Sequence, residues 1–103
     1  MFLVVFRNRK HAGFDAVAYA AESQKMRVLA SKQPGFIAFK SYVAEDGEDI
    51  AVSEWESEAA AHAWGRQADH ALAQARGRAE YYDSYTLFLC DSPSVTEFRR
   101  TET

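Results

Sequence analysis

The 103-residue sequence predicts an α+β domain of the ferredoxin-like type, β-α-β-β-α-β, with a four-stranded antiparallel sheet carrying both helices on one face. Three observations carry this prediction. Runs rich in β-formers open and close the chain, FLVVFR at 2–7 and YYDSYTLFLC at 81–90. Two stretches with helical spacing stand between the strands, and an Asp-Gly pair between the two central strands marks a tight reversal. With 48% apolar residues the chain can fill one core and not two, so we expect one domain over residues 1–91, followed by a tail over 92–103 where the composition changes.

Each element has a local reason. Phe2 to Arg7 is a continuous apolar run that suits a strand buried on both faces. Asp15 can cap the first helix, and Phe14 before it can staple onto Tyr19. Tyr19, Met26 and Leu29 then recur at helical spacing until Pro34-Gly35 ends the element. Phe36 to Val43 and Ile50 to Trp55 form a hairpin through AEDGED. Ser57 caps a second helix through Trp64, and Gly65 predicts a break before a further piece from about Asp69 to Arg76. Tyr81 to Cys90 closes the sheet.

That last strand raises a problem. Tyr81, Tyr85, Leu87 and Leu89 alternate with Tyr82, Phe88 and Cys90, so both of its faces are apolar, yet two helices cover only one side of a sheet. Each large apolar side chain left in water forgoes roughly 1.5–3 kcal/mol. An identical sheet from a second copy is the simplest cover, which predicts a two-fold homodimer with sheets face to face. The tail is expected outside the core, as an added edge strand through Val95 to Phe98 or as an arm over the partner.

Other classes are disfavoured. The net charge is −3 and the basic residues are scattered, so the footprint of a nucleic-acid binder is missing. One cysteine excludes an intrachain disulfide framework and any multi-cysteine metal or iron–sulfur site. The N-terminal apolar run precedes its basic residues and is far short of the ~20 residues of a membrane span, so we expect a cytoplasmic chain with no membrane partner. Neither a metal-ligand spacing such as H-E-x-x-H nor a glycine-rich nucleotide turn occurs, and no metal or cofactor is expected.

PGF at 34–36, VSEWES at 52–57, AHAW at 61–64, H-x-x-A-Q-x-x-G-R at 70–78 and the following YYDSY together resemble the antibiotic biosynthesis monooxygenase family, the dimeric α+β barrels. The likeness spans Phe2 to Cys90. It implies a swapped-edge or face-packed barrel dimer with a pocket between helices and sheet in each subunit. For activity it implies a cofactor-independent monooxygenase acting on a small electron-rich aromatic, quinol or anthrone-like. Haem degradation is the alternative, since haem-degrading relatives carry an Asn where this chain has Asn8, together with a Trp and an iron-ligating His. Here Asn8 and Trp64 match, while the ligand position falls at about Gln74. Some anthrone-type oxygenases have an Asn one turn before the Trp, where this chain has Ala60. A non-catalytic small-molecule-binding dimer is the rival from another class.

Against that background Trp64, His70 and Asn8 are the catalytic candidates, and Gln74, Tyr81, Tyr85 and Arg78 the substrate-binding ones. Trp64 either lines the pocket, as the resemblance implies, or fills the core. His70 and Gln74, four apart, share a helix face. His70 is either a proton acceptor, its ordinary pKa being about 6.5, or an idle residue at a helix start. His62 lies roughly 200° round the helix from Trp64 and is expected in solvent, and His11 belongs to a polar loop. Tyr81, Tyr82 and Tyr85 serve the core, the interface or the substrate. Arg76 and Arg78 either hold an anion or answer a helix dipole.

Overall fold

In the computed structural model, which describes residues 1–101, the chain runs β1 (Phe2–Lys10), α1 (Ala16–Ser31), β2 (Phe36–Val43) and β3 (Asp49–Trp55). Then follow α2 (Glu58–Arg66), α3 (Ala68–Arg76), a π-helical turn (Gly77–Tyr81) and β4 (Tyr82–Asp91). All three strand pairings are antiparallel and the sheet order is β2-β3-β1-β4, the split arrangement in which each helical connection crosses one strand.

The boundaries follow from capping chemistry. The Asp15 carboxylate accepts from the Ala18 N–H at 3.0 Å and Ser57 Oγ from the Ala60 N–H at 3.1 Å, each worth about 1 kcal/mol to its helix. Phe14 packs edge-on against Tyr19, ring centres 6.0 Å apart, as a staple should. Gly35 ends the α1 connection at φ +83°, and a Cβ there would meet the Ala60 Cβ at 2.5 Å, so the turn and α2 close on each other only through a glycine. In the β2–β3 hairpin Gly47 takes φ +89° and Ala44 donates to the Glu48 carbonyl at 2.8 Å.

Register assigns the two faces. Phe2 and Val4 of β1 join Trp55, Ala30, Ala60, Ala61 and Trp64 in the core, so even-numbered β1 residues face the helices. Leu89, Leu87 and Tyr85 are the partners of Val4, Phe6 and Asn8 and share that face. The opposite face carries Leu3, Val5, Ile50, Val52, Tyr42 and Phe88, and no helix lies on it. The Arg7 guanidinium sits over the Phe88 ring there at 5.1 Å.

Four details differ from the sequence reading. β1 runs three residues further, so Asn8 lies inside the strand rather than after it. The helix break is at Gln67, whose ψ of 133° is extended, while Gly65 stays helical. Gln67 compensates by capping α3, its Oε1 accepting from the His70 N–H at 3.1 Å. Tyr81 belongs to the π-turn and not to β4, as does Arg78. An irregularity between Arg9 and Lys10 pairs Lys10 with Tyr82, which puts Tyr82 on the same face as Tyr85 instead of the opposite one. Of the tail, 92–101 forms no strand and is exposed beyond Pro93; the last two residues lie outside the described ones.

Candidate functional site

The site begins with the break between α2 and α3. A continuous helix would satisfy the Trp64 carbonyl through the amide four residues on; with Gln67 extended, that carbonyl accepts instead from Gln67 N–H at 3.1 Å and from His70 Nδ1 at 3.1 Å. Because a carbonyl only accepts, His70 carries its proton on Nδ1, and the lone pair is left on Nε2. The imidazole stacks on the Trp64 indole, centroids 4.2 Å apart and planes 15° from parallel. Trp64 in turn lies 6.4 Å from Trp55, which is 1% exposed and anchored by its Nε1–H on Ser53 Oγ at 3.0 Å. Burial lowers the His70 pKa below its usual 6.5, partly opposed by the bond to Trp64, so the ring is neutral at pH 7.

Trp64 also lines a shallow cleft of about 360 Å³ with Gln33, Pro34, Gly35, Glu56 and Ala63. A second opening lies on the helix side of β4. There α3 packs on α1 and α2 more than on β4, while α2 rests on β1 and β3. Leu87 and Leu89 are therefore 49% and 53% exposed although they point to the helix side, and Tyr85 is similarly open. With Phe6, whose ring meets Tyr85 at 5.3 Å and Tyr82 at 5.4 Å, they floor an apolar groove along β1 and β4.

Asn8 stands at the far end of this floor, 3% exposed and paired in register with Tyr85 and Asp49. Its Oδ1 accepts from the Lys10 ammonium, which also donates to Asp49 at 2.9 Å and lies 4.4 Å from the Tyr19 ring centre. An ammonium only donates, so the amide orientation is fixed and the Asn8 N–H groups have no partner among the described residues. Burial and the Tyr19 hydroxyl 3.5 Å away push the Tyr82 hydroxyl far above its ordinary pKa, so it stays a proton donor. Gly77 admits that ring: a Cβ there would sit 2.6 Å from Tyr82 Cε2.

The structure thus brings Trp64 and His70 into contact and places Asn8 and Tyr85 together in a different cluster. Trp64 packs on the core at Phe2, six strand residues from Asn8 or roughly 20 Å along β1. Tyr81 is buried; its hydroxyl donates to Glu22 Oε2 at 2.8 Å, a bond that raises its pKa, and Arg76 bridges Glu22 and Glu80. Gln74 and Arg78 are exposed, and no hydrogen bond among the described residues draws either to His70. His62 is exposed and touches Phe2 edge-on at 6.4 Å, away from Trp64. Among the described residues no group of three or more His, Cys, Asp or Glu is placed to hold a metal ion, and no helix is long and apolar enough to cross a membrane. The sequence reading missed Lys10, Asp49 and Tyr19; an Asn-x-Lys on a strand was the available signal.

Known proteins share this architecture. The chain is 33% identical over 86 residues to the uncharacterized protein YqjZ of Bacillus subtilis, covering 84% of this chain and 74% of that one. Rv0793 of Mycobacterium tuberculosis superposes with a TM-score of 0.79 at 13% identity, covering 93% of this chain and 98% of that one. A mutant of SnoaB, a cofactor-independent oxygenase from Streptomyces nogalater, does so with a TM-score of 0.75 at 16% identity, covering 91% and 94%. At such identities these two likenesses show the fold alone. The pattern of the family described as "Antibiotic biosynthesis monooxygenase" matches residues 1–76, and the chain belongs to that family.

Proposed function

We propose that this chain is a homodimeric, cofactor-independent monooxygenase that oxidises a small electron-rich aromatic, quinol or anthrone-like, with dioxygen. The observation that carries the reading is the Trp64–His70 pair: a neutral imidazole held by its Nδ1–H, with Nε2 unprotonated, stacked on an indole that lines a cleft. Triplet dioxygen reacts slowly with closed-shell molecules, so catalysis needs the substrate as an electron-rich anion in a dry setting. His70 Nε2 takes the phenolic or benzylic proton and Trp64 holds the ring system, while the free Asn8 N–H groups, roughly 20 Å away along β1, lie beyond reach of the same small molecule. The anion passes an electron to dioxygen and the radicals combine at ring carbon. O–O cleavage then leaves one oxygen on the substrate as a carbonyl and releases the other as water with two substrate hydrogens. The substrate supplies all four electrons, so no external reductant enters.

The homodimer is supported by the uncovered sheet face, where Phe88 and Tyr42 stay about half exposed in the single chain. A cytoplasmic setting and a domain boundary near Asp91 belong to the same proposal. One observation favours a rival. A His with Nδ1 fixed and Nε2 free is also what haem iron requires, although the position resembling the haem-degrading relatives' ligand is the exposed Gln74. Oxygen uptake by purified protein under metal chelation, across anthrone and hydroquinone panels, tests the proposal. Uptake above the buffer rate that falls in His70→Ala supports it, and uptake at the buffer rate throughout favours a binding dimer. Tight stoichiometric haem binding lost in His70→Ala supports the haem reading.

A further inference from the structure

The Asn8 end of the groove has no part in the Trp64–His70 chemistry, yet it holds a buried side chain with hydrogen bonds left to make. Asn8 is 3% exposed, and its amide N–H groups have no partner among the described residues. An unpaired buried donor costs the fold stability unless an acceptor comes to it. Arg7 Nε is the one fully buried side-chain nitrogen or oxygen among the described residues that lacks a hydrogen bond. The Asn8 amide nitrogen therefore reaches open space, and it does so on the helix side of the sheet, where Asn8 stands with Phe6 and Tyr85. We propose that this end of the groove is a second binding site, for an uncharged planar aromatic carbonyl compound whose oxygen accepts from the Asn8 amide, with Lys10 as the positioning residue that aims that amide. The site goes beyond the oxygenase reading and does not rest on it.

The head group follows from what surrounds Asn8. Lys10 occupies the amide oxygen, so toward the groove Asn8 can only donate. The irregularity between Arg9 and Lys10 sets Lys10 opposite Tyr82, which lets one ammonium reach Asn8, Asp49 and two rings. That ammonium is paired with Asp49 at 2.9 Å and faces the Tyr19 and Tyr82 rings at 4.4 and 5.4 Å, so no unbalanced charge is left for a charged head. A carboxylate placed here would lie beside Asp49 with no cation of its own. The Tyr19 and Tyr82 hydroxyls share one contact of 3.5 Å, so one of their two protons stays unused as a further donor. A neutral oxygen acceptor matches this set.

The body follows from the floor. Phe6, Tyr82 and Tyr85 meet with ring centres 5.4, 5.3 and 6.0 Å apart, a corner of three aromatic rings beside the amide. Leu87 and Leu89 continue it, 49% and 53% exposed. From Asn8, opposite Tyr85, to Val4, opposite Leu89, the floor runs about 13 Å, which suits a flat molecule of two or three fused rings. Such a ligand covers the leucines and pairs the amide at once.

Asn8 is the only asparagine in the sequence, so ¹⁵N labelling of asparagine side chains in the full chain reports this amide alone. The labelled protein is titrated with fluorenone and, separately, with fluorene, which has the same rings and no carbonyl; equilibrium dialysis gives both affinities. Fluorenone should shift the Asn8 amide signals saturably and bind about tenfold more tightly than fluorene, the scale of one neutral hydrogen bond. Signals unmoved up to the solubility limit of the ketone, equal affinity for ketone and hydrocarbon, or tighter binding of fluorene carboxylate would each overturn the proposal. Asn8→Leu should lose the tenfold preference while fluorene binds as before. Lys10→Met should lose it in the same way and Lys10→Arg should restore part of it; equal weakening of both ligands in Lys10→Met would make Lys10 merely structural and overturn its assigned role. If a variant fails to fold, the titration of the native chain still decides the site. No readout uses oxygen consumption, so a ketone bound at Asn8 in an inactive protein contradicts the oxygenase reading alone, and an active protein whose Asn8 signals stay still contradicts this site alone.

Discussion

His70 has two occupations that one geometry reconciles. Its Nδ1–H closes the end of α2 and its ring covers one face of Trp64, which is structural work; the same bond leaves Nε2 as the only basic atom of the ring. His70→Ala should therefore lower kcat by about 10²–10⁴-fold with a smaller effect on KM, since a positioned base contributes on that scale. Trp64→Ala should raise KM and lower the rate together through a looser substrate pose. The pH dependence has a definite sign. Burial holds the folded pKa below 6.5, so the rate should rise with pH in the range below 6.5 and be level at neutrality; a rate still climbing through pH 7–8 would contradict it. Stability follows the same linkage. The unfolded chain binds the proton at about 6.5 and the folded one only lower, so the His70 contribution is intact above 6.5 and is lost as pH falls toward the folded pKa. Urea midpoints of the native chain and His70→Ala should converge as the pH falls through this window.

At the scale of elements, one glycine and one glutamine set how the helices close on the sheet. Gly35→Ala combines a left-handed φ with a Cβ driven into Ala60, and should destabilise by about 2–4 kcal/mol in urea unfolding. Gln67→Ala removes the α3 cap, at about 1 kcal/mol, and should loosen His70 on Trp64 enough to lower the rate beyond what the stability loss explains. Much of this level was legible in the sequence. Asp15 and Ser57 cap where they stand, Gly35 stops the first connection, and Asp46-Gly47 turns the hairpin, because each is a short-range effect of one side chain on its own backbone. The break at Gln67 was not legible. Glutamine is a good helix former and Gly65 two residues earlier carried the stronger signal. Tyr82 was likewise placed on the wrong face, since period-two alternation does not register a bulge whose cause lies in the pairing of Lys10 across the ladder.

At the scale of the whole molecule, the order of strands followed from the order of elements, and the family from motifs spread over most of the chain. The open groove did not follow. It exists because α3 docks on α1 more than on β4, a long-range choice that the helical periodicity of 68–76 leaves undetermined. For the same reason the separation of Asn8 from Trp64 could not be read from residues that stand 56 apart in sequence. The uncovered sheet face makes a mass prediction: sedimentation at micromolar concentration should give twice the chain mass, and Phe88→Asp should lose assembly and solubility together. A stable monomer would remove the homodimer.

The central claim is that this fold oxygenates an aromatic whose own electrons reduce dioxygen, with His70 Nε2 taking the first proton. Turnover of an anthrone under ¹⁸O₂ in chelated buffer, followed by mass spectrometry of the product, tests it most directly. The account predicts one labelled oxygen per product molecule, formed faster than in buffer and slowed in His70→Ala. Label incorporation no faster than in buffer across the anthrone and hydroquinone panels, or a rate unaffected by His70→Ala, would contradict it.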